Sequence, residues 1–326
     1  MHQAIKAERE LRRMLGEPGT WDDLRAFAQQ LESEARAVHA DLIDLPEQLE
    51  QAALEVASGA RAVAAALADG YTALERGDLD MLRQQVTSRP TPLGAKNLAA
   101  VPRRLRAYRH RVALSVTNAL ADTHRAHDLL DEIETYPSMR VVGVLAEAGC
   151  GKTELAAQLT SAVNTRPPSI LLHGRNLGAS HSLDDLAHSV VIQGVPVPSM
   201  DALIAAVDAA GQRAHRRLPV VIDGLNEAED PRSWKAKLAA LDQTLLRYPY
   251  VLVVCTLRTA FADEALPSEV FQLHIPDFQE DTGQAIRRYF EYYRINASDA
   301  ELPLEMFRHP LTLRLFCEVR LASAPP

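Results

Sequence analysis

The sequence of 326 residues has few cysteines and no long apolar run. Its three cysteines, Cys150, Cys255 and Cys317, are widely spaced and form no CxxC pair, which argues against a disulfide framework or a cysteine zinc site. No apolar run reaches the roughly 18 residues of a membrane span, and the N-terminus lacks the apolar core of a secretion signal. We therefore expect reduced thiols, no membrane span and a cytoplasmic location.

The composition has no strong excess of charge of one sign. The formal net charge of −8 gives no global attraction to nucleic acids or acidic membranes. A dense basic run covers residues 103–111 and includes Arg103, Arg104 and Arg106. We favour a solvated helix face for this run because the chain is acidic overall, and we keep nucleic-acid binding as an alternative. The hydrophobic fraction of 47% excludes a wholly disordered chain, and the length allows two domains or one large α/β domain with a helical extension.

Residues 1–135 have the composition and periodicity of helices, with apolar residues three and four positions apart. The members of two predicted buried helix faces are Leu24, Phe27, Leu31 and Ala35, and Leu49, Ala53, Val56 and Ala60. A longer helix is predicted from about residue 101 to residue 135. Because no strand pattern, metal-spaced His/Cys set or nucleophile motif interrupts this segment, we predict a helical adaptor, effector or oligomerisation module.

After residue 139 the pattern changes to alternating strands and helices, which is typical of a mainly parallel sheet. The predicted strands are Arg140–Leu145, Ser169–His173, Leu218–Ile222, Tyr250–Cys255 and Val270–Ile275. The predicted helices between them are Lys152–Val163, Leu183–Ile192, Met200–Arg216 and Pro231–Tyr248. The predicted fold class is therefore α/β, with an all-helical module (1–135), a parallel-sheet domain (136–278) and the start of a small helical domain (279–326).

Residues 146–153, Ala-Glu-Ala-Gly-Cys-Gly-Lys-Thr, lie between a predicted strand and a predicted helix. They match the phosphate-binding pattern of glycine, four residues, glycine, lysine and serine or threonine, except that Ala146 replaces the first glycine. In such a loop, backbone N–H groups and the helix N-terminus surround the phosphates. Lys152 is then predicted to contact the β- and γ-phosphates, and Thr153 to ligate Mg²⁺. The predicted nucleotide-binding residues of the loop are Glu147, Ala148, Gly149, Cys150, Gly151, Lys152, Thr153 and Glu154.

Two later strands supply candidate catalytic residues at their carboxyl ends. Asp223 ends an apolar strand and is predicted to hold Mg²⁺ together with Thr153, while Glu227 is predicted to polarise the attacking water. Arg258 ends the next strand and is predicted to face the same crevice, where it reads the γ-phosphate or stabilises charge during hydrolysis. Simpler interpretations remain open, namely a solvated glutamate for Glu227 and a surface ion pair for Arg258.

These motifs, in this order, resemble those of the NACHT branch of the STAND signal-transduction ATPases, and the likeness covers roughly residues 138–321. It rests on Ala-Gly-Cys-Gly-Lys-Thr, then on Val-Ile-Asp-Gly-Leu-Asn-Glu-Ala, and then on Thr-Leu-Arg at the next strand end. A fourth block, His-Pro-Leu-Thr-Leu-Arg-Leu-Phe-Cys, begins at His309 and looks like the family segment whose proline lies against the adenine. The resemblance implies an AAA+-like P-loop NTPase sheet and an adenine contact from Pro310.

The resemblance also implies a function. Members of this family are switches that bind ADP at rest, bind ATP with Mg²⁺ and self-associate when triggered, and serve in antiviral defence or innate-immunity-like signalling. Asn226 stands where many relatives carry a second acid, which favours slow hydrolysis. The family's sensor repeats are absent from this sequence, so we expect the trigger ligand to be recognised by a region missing here. Two alternatives stay open: a P-loop ATPase with true turnover, and a nucleotide-regulated nucleic-acid-binding regulator.

Overall fold

The computed structural model describes residues 2–40, 42, 45–79, 81–82, 100–106, 110–162, 167–178, 181–276, 282–295 and 304–322. The chain divides into two compact units. One unit is Gly16–Ser138, and the other combines Met1–Leu15 with Met139–Pro326. The domain boundaries at residues 135 and 278 stay a prediction. No helix among the described ranges is long and apolar enough to cross a membrane.

The unit Gly16–Ser138 is helical in its described part. Its helices are α2 (Asp22–Ala40), α3 (Glu47–Arg76), α4 (Val101–Arg106) and α5 (His110–Ser138). Helices α2, α3 and α5 pack against one another in pairs. The two predicted helix faces, which begin at Leu24 and Leu49, are buried at all eight positions, so that prediction is confirmed. Amphipathic periodicity therefore accounts for this core.

The basic run lies partly on α4. Val101 and Leu105 are buried on this helix, whereas Arg103, Arg104 and Arg106 are exposed. Residues 107–109 of the run, which were predicted to continue one long helix, lie outside the described residues. The arrangement of the described residues is that of a helix with a buried apolar edge and a solvated basic face.

Helix α1 (His2–Met14) belongs to the sheet-containing unit, although its sequence was grouped with the helices that follow it. The backbone N–H of Arg217 donates to the carbonyl oxygen of Leu15 at 3.2 Å. The buried Arg217 guanidinium also donates to the carbonyl oxygen of Met14 at 3.3 Å and to that of Val251 at 2.9 Å. Carbonyl groups at a helix C-terminus lack partners within the helix, so this arginine satisfies the end of α1.

A five-stranded parallel sheet forms the centre of this unit, as the sequence predicted. Its strands are β1 (Val141–Leu145), β2 (Ile170–His173), β5 (Leu218–Asp223), β6 (Val251–Leu257) and β7 (Phe271–His274). Their order across the sheet is β2-β5-β6-β1-β7. Every residue of β1, β5 and β6 is buried, which explains why these strands are continuous apolar runs rather than alternating ones.

Four helices between the strands begin close to their predicted positions. They are α6 (Lys152–Thr160), α7 (Leu183–Ala187), α8 (Met200–Ala214) and α9 (Ser233–Leu245). A further short helix, α10 (Ala262–Ala265), was not predicted. The predicted helix Leu183–Ile192 is wrong in its second half, where a short antiparallel hairpin pairs β3 (Val191–Ile192) with β4 (Val195–Pro196). The helix ends at Ala187, positive φ angles at Gln193 and Gly194 form the hairpin turn, and β-branched residues on both sides of that turn favour strands.

Two helices near the C-terminus form a separate apolar cluster. These are α11 (Thr282–Tyr293) and α12 (Pro310–Ala322), with a short 3₁₀-helix at Leu304–Phe307 before α12. The ring of Phe316 lies 6.0 Å from that of Phe290 and 5.0 Å from that of Phe307. These contacts bring the described helices that follow the sheet into one small packed group.

Candidate functional site

The candidate site begins at the loop between β1 and α6. Gly149 and Gly151 both have positive φ angles, 79° and 87°, a conformation that costs side-chain-bearing residues energy. Gly151 immediately precedes α6, and its carbonyl oxygen accepts the Leu155 N–H at 2.9 Å. The loop therefore turns sharply and leads directly into the positive N-terminal end of a nine-residue helix.

The ammonium group of Lys152 lies across this loop. It donates to the carbonyl oxygen of Ala146 at 2.7 Å and to that of Glu147 at 2.8 Å. Burial lowers the pKa of Lys152 from its ordinary value, and the positive charge of Arg258 acts in the same direction. The negative charge of Asp223 opposes this shift. Lys152 and Arg258 thus lie near enough to interact electrostatically across the mouth of the loop.

The carboxylate of Asp223 is held on both oxygens. Thr153, in the first turn of α6, donates its hydroxyl to Oδ2 of Asp223 at 2.9 Å. Thr256 of β6 donates its hydroxyl to Oδ1 at 2.5 Å. This contact follows from the sheet register, since Ile222 lies opposite Cys255 and the next residue of each strand is Asp223 and Thr256. Strand order therefore brings the end of β5 against both α6 and β6.

The turn after Asp223 carries the second candidate acid. Glu227 is exposed, and its backbone N–H donates to the carbonyl oxygen of Gly224 at 2.9 Å within a short 3₁₀-helix. Asn226 accepts the backbone N–H of Arg258 on its side-chain oxygen at 3.0 Å. Asn226 therefore joins the turn after β5 to the turn after β6, which is a structural use for a side chain noted in the sequence only as a missing acid.

Arg258 follows the last residue of β6 directly. Its side chain is exposed, and among the residues that the structure describes no carboxylate pairs with its guanidinium group. Because β6 lies between β5 and β1 and the strands are parallel, Arg258 is at the carboxyl-terminal end of the sheet, as are Asp223 and Lys152. The described geometry gives no support to the simpler interpretation of Arg258 as half of a surface ion pair.

Pro310 is predicted to contact adenine, and the residue that follows it packs against the glycine loop. Pro310 is buried and begins α12, a position that suits proline because its missing N–H has no partner there. The residue after it, Leu311, is the one next to the loop. A Cβ atom added at Gly149 would lie 2.6 Å from Cβ of Leu311. The start of α12 and the glycine loop are therefore in close contact.

The remaining predicted loop residues differ in exposure. Cys150 is buried, Ala148, Gly151 and Lys152 are half-buried, and Glu147, Gly149, Thr153 and Glu154 are exposed. The carboxylate of Glu154 accepts the side-chain amide of Gln158 at 3.1 Å, one turn further along α6. The structure thus brings Lys152, Thr153, Asp223 and Arg258 to one edge of the sheet, and directs Glu154 along the helix surface.

Sequence reasoning gave no individual role to Thr256 or Leu311, although both lie within the quoted motifs. The available signal for Thr256 was a hydroxyl in an otherwise apolar strand, two positions before Arg258. Leu311 had no comparable signal, because a leucine after a helix-starting proline is ordinary. A third missed residue is Gly174, since a Cβ atom added there would lie 2.4 Å from the carbonyl oxygen of Gly224.

The side chains of the site suit an anionic ligand that carries a cation. An ammonium and an exposed guanidinium are donors for phosphate oxygens, and a hydroxyl beside a carboxylate is a typical environment for Mg²⁺. In the described part of the chain no three His, Cys, Asp or Glu side chains are grouped to hold a metal. A cation near Thr153 and Asp223 would therefore need further oxygen ligands from a phosphate or from water.

No family model matches this sequence, and none of the curated proteins matches it at a significant level.

Proposed function

We propose that this chain is an ATP- and ADP-binding switch with an AAA+-like P-loop NTPase fold, similar to the NACHT-type STAND ATPases. The observation that carries the proposal is the convergence of Lys152, Thr153, Asp223 and Arg258 beside the loop of Gly149 and Gly151. Residues from three separate strand ends meet there, and each has a chemical group that a magnesium nucleotide needs.

The first step is nucleotide binding. The Lys152 ammonium donates to the carbonyl oxygens of Ala146 and Glu147, which are weaker acceptors than phosphate oxygens. A β- or γ-phosphate oxygen that replaces these carbonyl oxygens as the acceptor therefore forms a stronger hydrogen bond with Lys152. The depressed pKa of Lys152 reflects a cation that lacks a nearby anion strong enough to offset its burial, which a phosphate supplies. Pro310, which begins the helix next to the loop, is proposed to contact the adenine.

Hydrolysis is proposed to be slow. Bound Mg²⁺ supplies positive charge that neutralises the phosphate oxygens. Asp223 and Thr153 hold the cation side of the site, Arg258 stabilises charge on the transferred phosphate, and Glu227 orients the attacking water. Glu227 is exposed, and among the described residues no hydrogen bond or ion pair fixes its side chain, while its neighbour Asn226 accepts a hydrogen bond from the Arg258 backbone. A single loosely held acid favours slow turnover over an efficient general base.

The output is proposed to be self-association on ATP binding, in antiviral or innate-immunity-like signalling. The contact of Leu311 with Gly149 supports a switch, since it connects the loop to a helix outside the sheet. A change at the phosphates that moves the loop will also move the start of α12, because close-packed contacts transmit such shifts.

The test is to measure nucleotide content and molecular mass of the purified chain with and without a non-hydrolysable ATP analogue and Mg²⁺. The proposal expects bound ADP in a smaller species, assembly with the analogue, and loss of both in Lys152→Ala. Rapid multiple-turnover hydrolysis without any change in mass would instead identify a turnover enzyme. Absence of nucleotide binding under all conditions would overturn the proposal as a whole.

A further inference from the structure

Thr256 lies inside the sheet, where a hydroxyl needs partners. It is 1% exposed, and its neighbours along the central strand β6 are apolar. A buried hydroxyl without hydrogen bonds is costly, so valine, which has the same shape, would suit this position better if the residue served packing alone. The hydroxyl at this position therefore calls for an account in terms of the groups that it contacts.

The direction of the two hydrogen bonds of Thr256 is fixed. The backbone N–H of Gly224 donates to Oγ1 of Thr256 at 2.9 Å. Since this bond occupies a lone pair, the hydroxyl hydrogen remains for Oδ1 of Asp223, to which it donates at 2.5 Å. One side chain thus orders both the carboxylate and the peptide bond that follows it.

The two oxygens of Asp223 are divided between two threonines. Oδ1 accepts from Thr256 of β6, and Oδ2 accepts from Thr153 of α6. Two donors from two different elements prevent rotation of the carboxylate about its terminal torsion, which is otherwise broad. Without Thr256, Oδ1 loses this donor, and the hydrogen bond from Thr153 to Oδ2 alone remains to orient the carboxylate.

We propose that Thr256 is a positioning residue that keeps Asp223 oriented for the Mg²⁺ that accompanies the nucleotide. The inference rests on the proposed function, because it concerns the cation side of the same site. Thr256 itself does not touch the nucleotide. It acts through Asp223, in the way that outer hydrogen-bond partners orient metal-binding carboxylates in other proteins.

The test compares Thr256→Val with wild type in binding a fluorescent ADP analogue during titration with Mg²⁺, and again in EDTA. Loss of an outer-shell partner typically weakens metal affinity 10–100-fold, so we expect the Mg²⁺ concentration at half-effect to rise by at least about tenfold. Binding in EDTA should change less than about twofold, since Lys152 and the loop remain. Thr256→Ser should restore the wild-type Mg²⁺ dependence.

A matched control separates this role from the removal of any buried threonine hydroxyl. Thr160 of α6 is also buried, but its hydroxyl donates to the carbonyl oxygen of Ala156 at 2.9 Å. Thr160→Val should leave the Mg²⁺ dependence unchanged. If Thr256→Val does not fold, the pair Thr256→Ser and Thr256→Ala, which differ only by the hydroxyl, gives the same comparison.

The outcomes distinguish this inference from the proposed function. A wild-type chain that binds no magnesium nucleotide would overturn both. Wild-type binding with an unchanged Mg²⁺ half-effect in Thr256→Val, or an equal loss with Mg²⁺ and with EDTA, would overturn the inference and leave the proposed function standing. A selective loss in Thr256→Val that serine reverses is the expected result.

Discussion

The contact between Gly149 and Leu311 leads to a prediction about stability. In Gly149→Ala, the new Cβ would lie 2.6 Å from Cβ of Leu311 and 3.3 Å from its Cα. Ordinary carbon contacts need about 3.5–4.0 Å, so the loop or the start of α12 must move by roughly 1 Å. The substitution also places alanine at a φ angle of 79°. We therefore expect two separate losses of stability, one from the backbone and one from the contact.

Gly151 provides a matched control for the backbone loss. Its φ angle is 87°, and no atom lies within 4 Å of an added Cβ. Gly151→Ala should lower the free energy of unfolding by about 1–2 kcal/mol from positive φ alone. Gly149→Ala should lose that amount and about 1–3 kcal/mol more, as overpacking does. In a unit of this size, the extra loss corresponds to a Tm lower by roughly 2–12 °C.

The assay is thermal unfolding of wild type, Gly149→Ala, Gly151→Ala, Leu311→Gly and the double variant Gly149→Ala with Leu311→Gly. Removal of the Leu311 side chain should reduce the additional cost of Gly149→Ala, because the atom met at 2.6 Å is gone. Equal Tm values for the two alanine variants would refute the reasoning. So would a double variant in which the two losses simply add, since residues in contact are expected to couple.

Three further predictions follow from other contacts and pKa shifts. Gly174→Ala should lower Tm, because the added Cβ would lie 2.4 Å from the Gly224 carbonyl oxygen. Gly283 is a helical control, since no atom lies within 4 Å of an added Cβ, and Gly283→Ala should be neutral or stabilising by up to about 1 kcal/mol. Equal changes in Tm for the two variants would contradict this. Burial raises the pKa of Cys255 to about 12. After iodoacetamide treatment at pH 8, mass spectrometry should therefore find this thiol modified only in denatured protein. Rapid labelling of the native chain would count against its burial. Burial lowers the pKa of Lys152 from its ordinary value of 10.5. Between the folded and unfolded pKa values the unfolded chain binds more protons, so this lysine makes the free energy of unfolding rise with pH. If Lys152→Met leaves the dependence of that free energy on pH unchanged in this range, the prediction is wrong.

The sheet was predictable because its central strands are buried on both faces. A parallel strand that packs on both sides must be apolar throughout, and such runs between turn residues can be recognised without knowing their neighbours. The hairpin Val191–Ile192 with Val195–Pro196 was not recognised, because its apolar residues are exposed and fit a helical pattern equally well. A short two-stranded element of this kind gives too few residues for periodicity to distinguish the two.

Within the candidate site, residues in a local motif or at the carboxyl end of a strand were predictable, and residues whose role depends on a particular neighbouring element were not. Lys152 and Thr153 have a fixed spacing from the glycines of their loop. The role of Thr256 depends on β6 lying beside β5, which the sequence does not specify. Leu311 contacts Gly149, although the two residues are far apart in the chain. Arg217 likewise donates to the C-terminus of α1, which is distant from it in sequence. Tertiary proximity, rather than residue type, selects these positions.

The most direct test of the account is the affinity for magnesium ADP of Lys152→Ala, measured calorimetrically against wild type and Lys237→Ala. Lys237 lies within α9, an element that carries none of the proposed nucleotide-binding residues, and serves as a control for the loss of one lysine charge. Loss of charge-assisted hydrogen bonds to phosphate should weaken binding by at least about tenfold in Lys152→Ala, with Lys237→Ala equal to wild type. Equal affinity of all three proteins, or no binding by wild type, would contradict a nucleotide site at this loop.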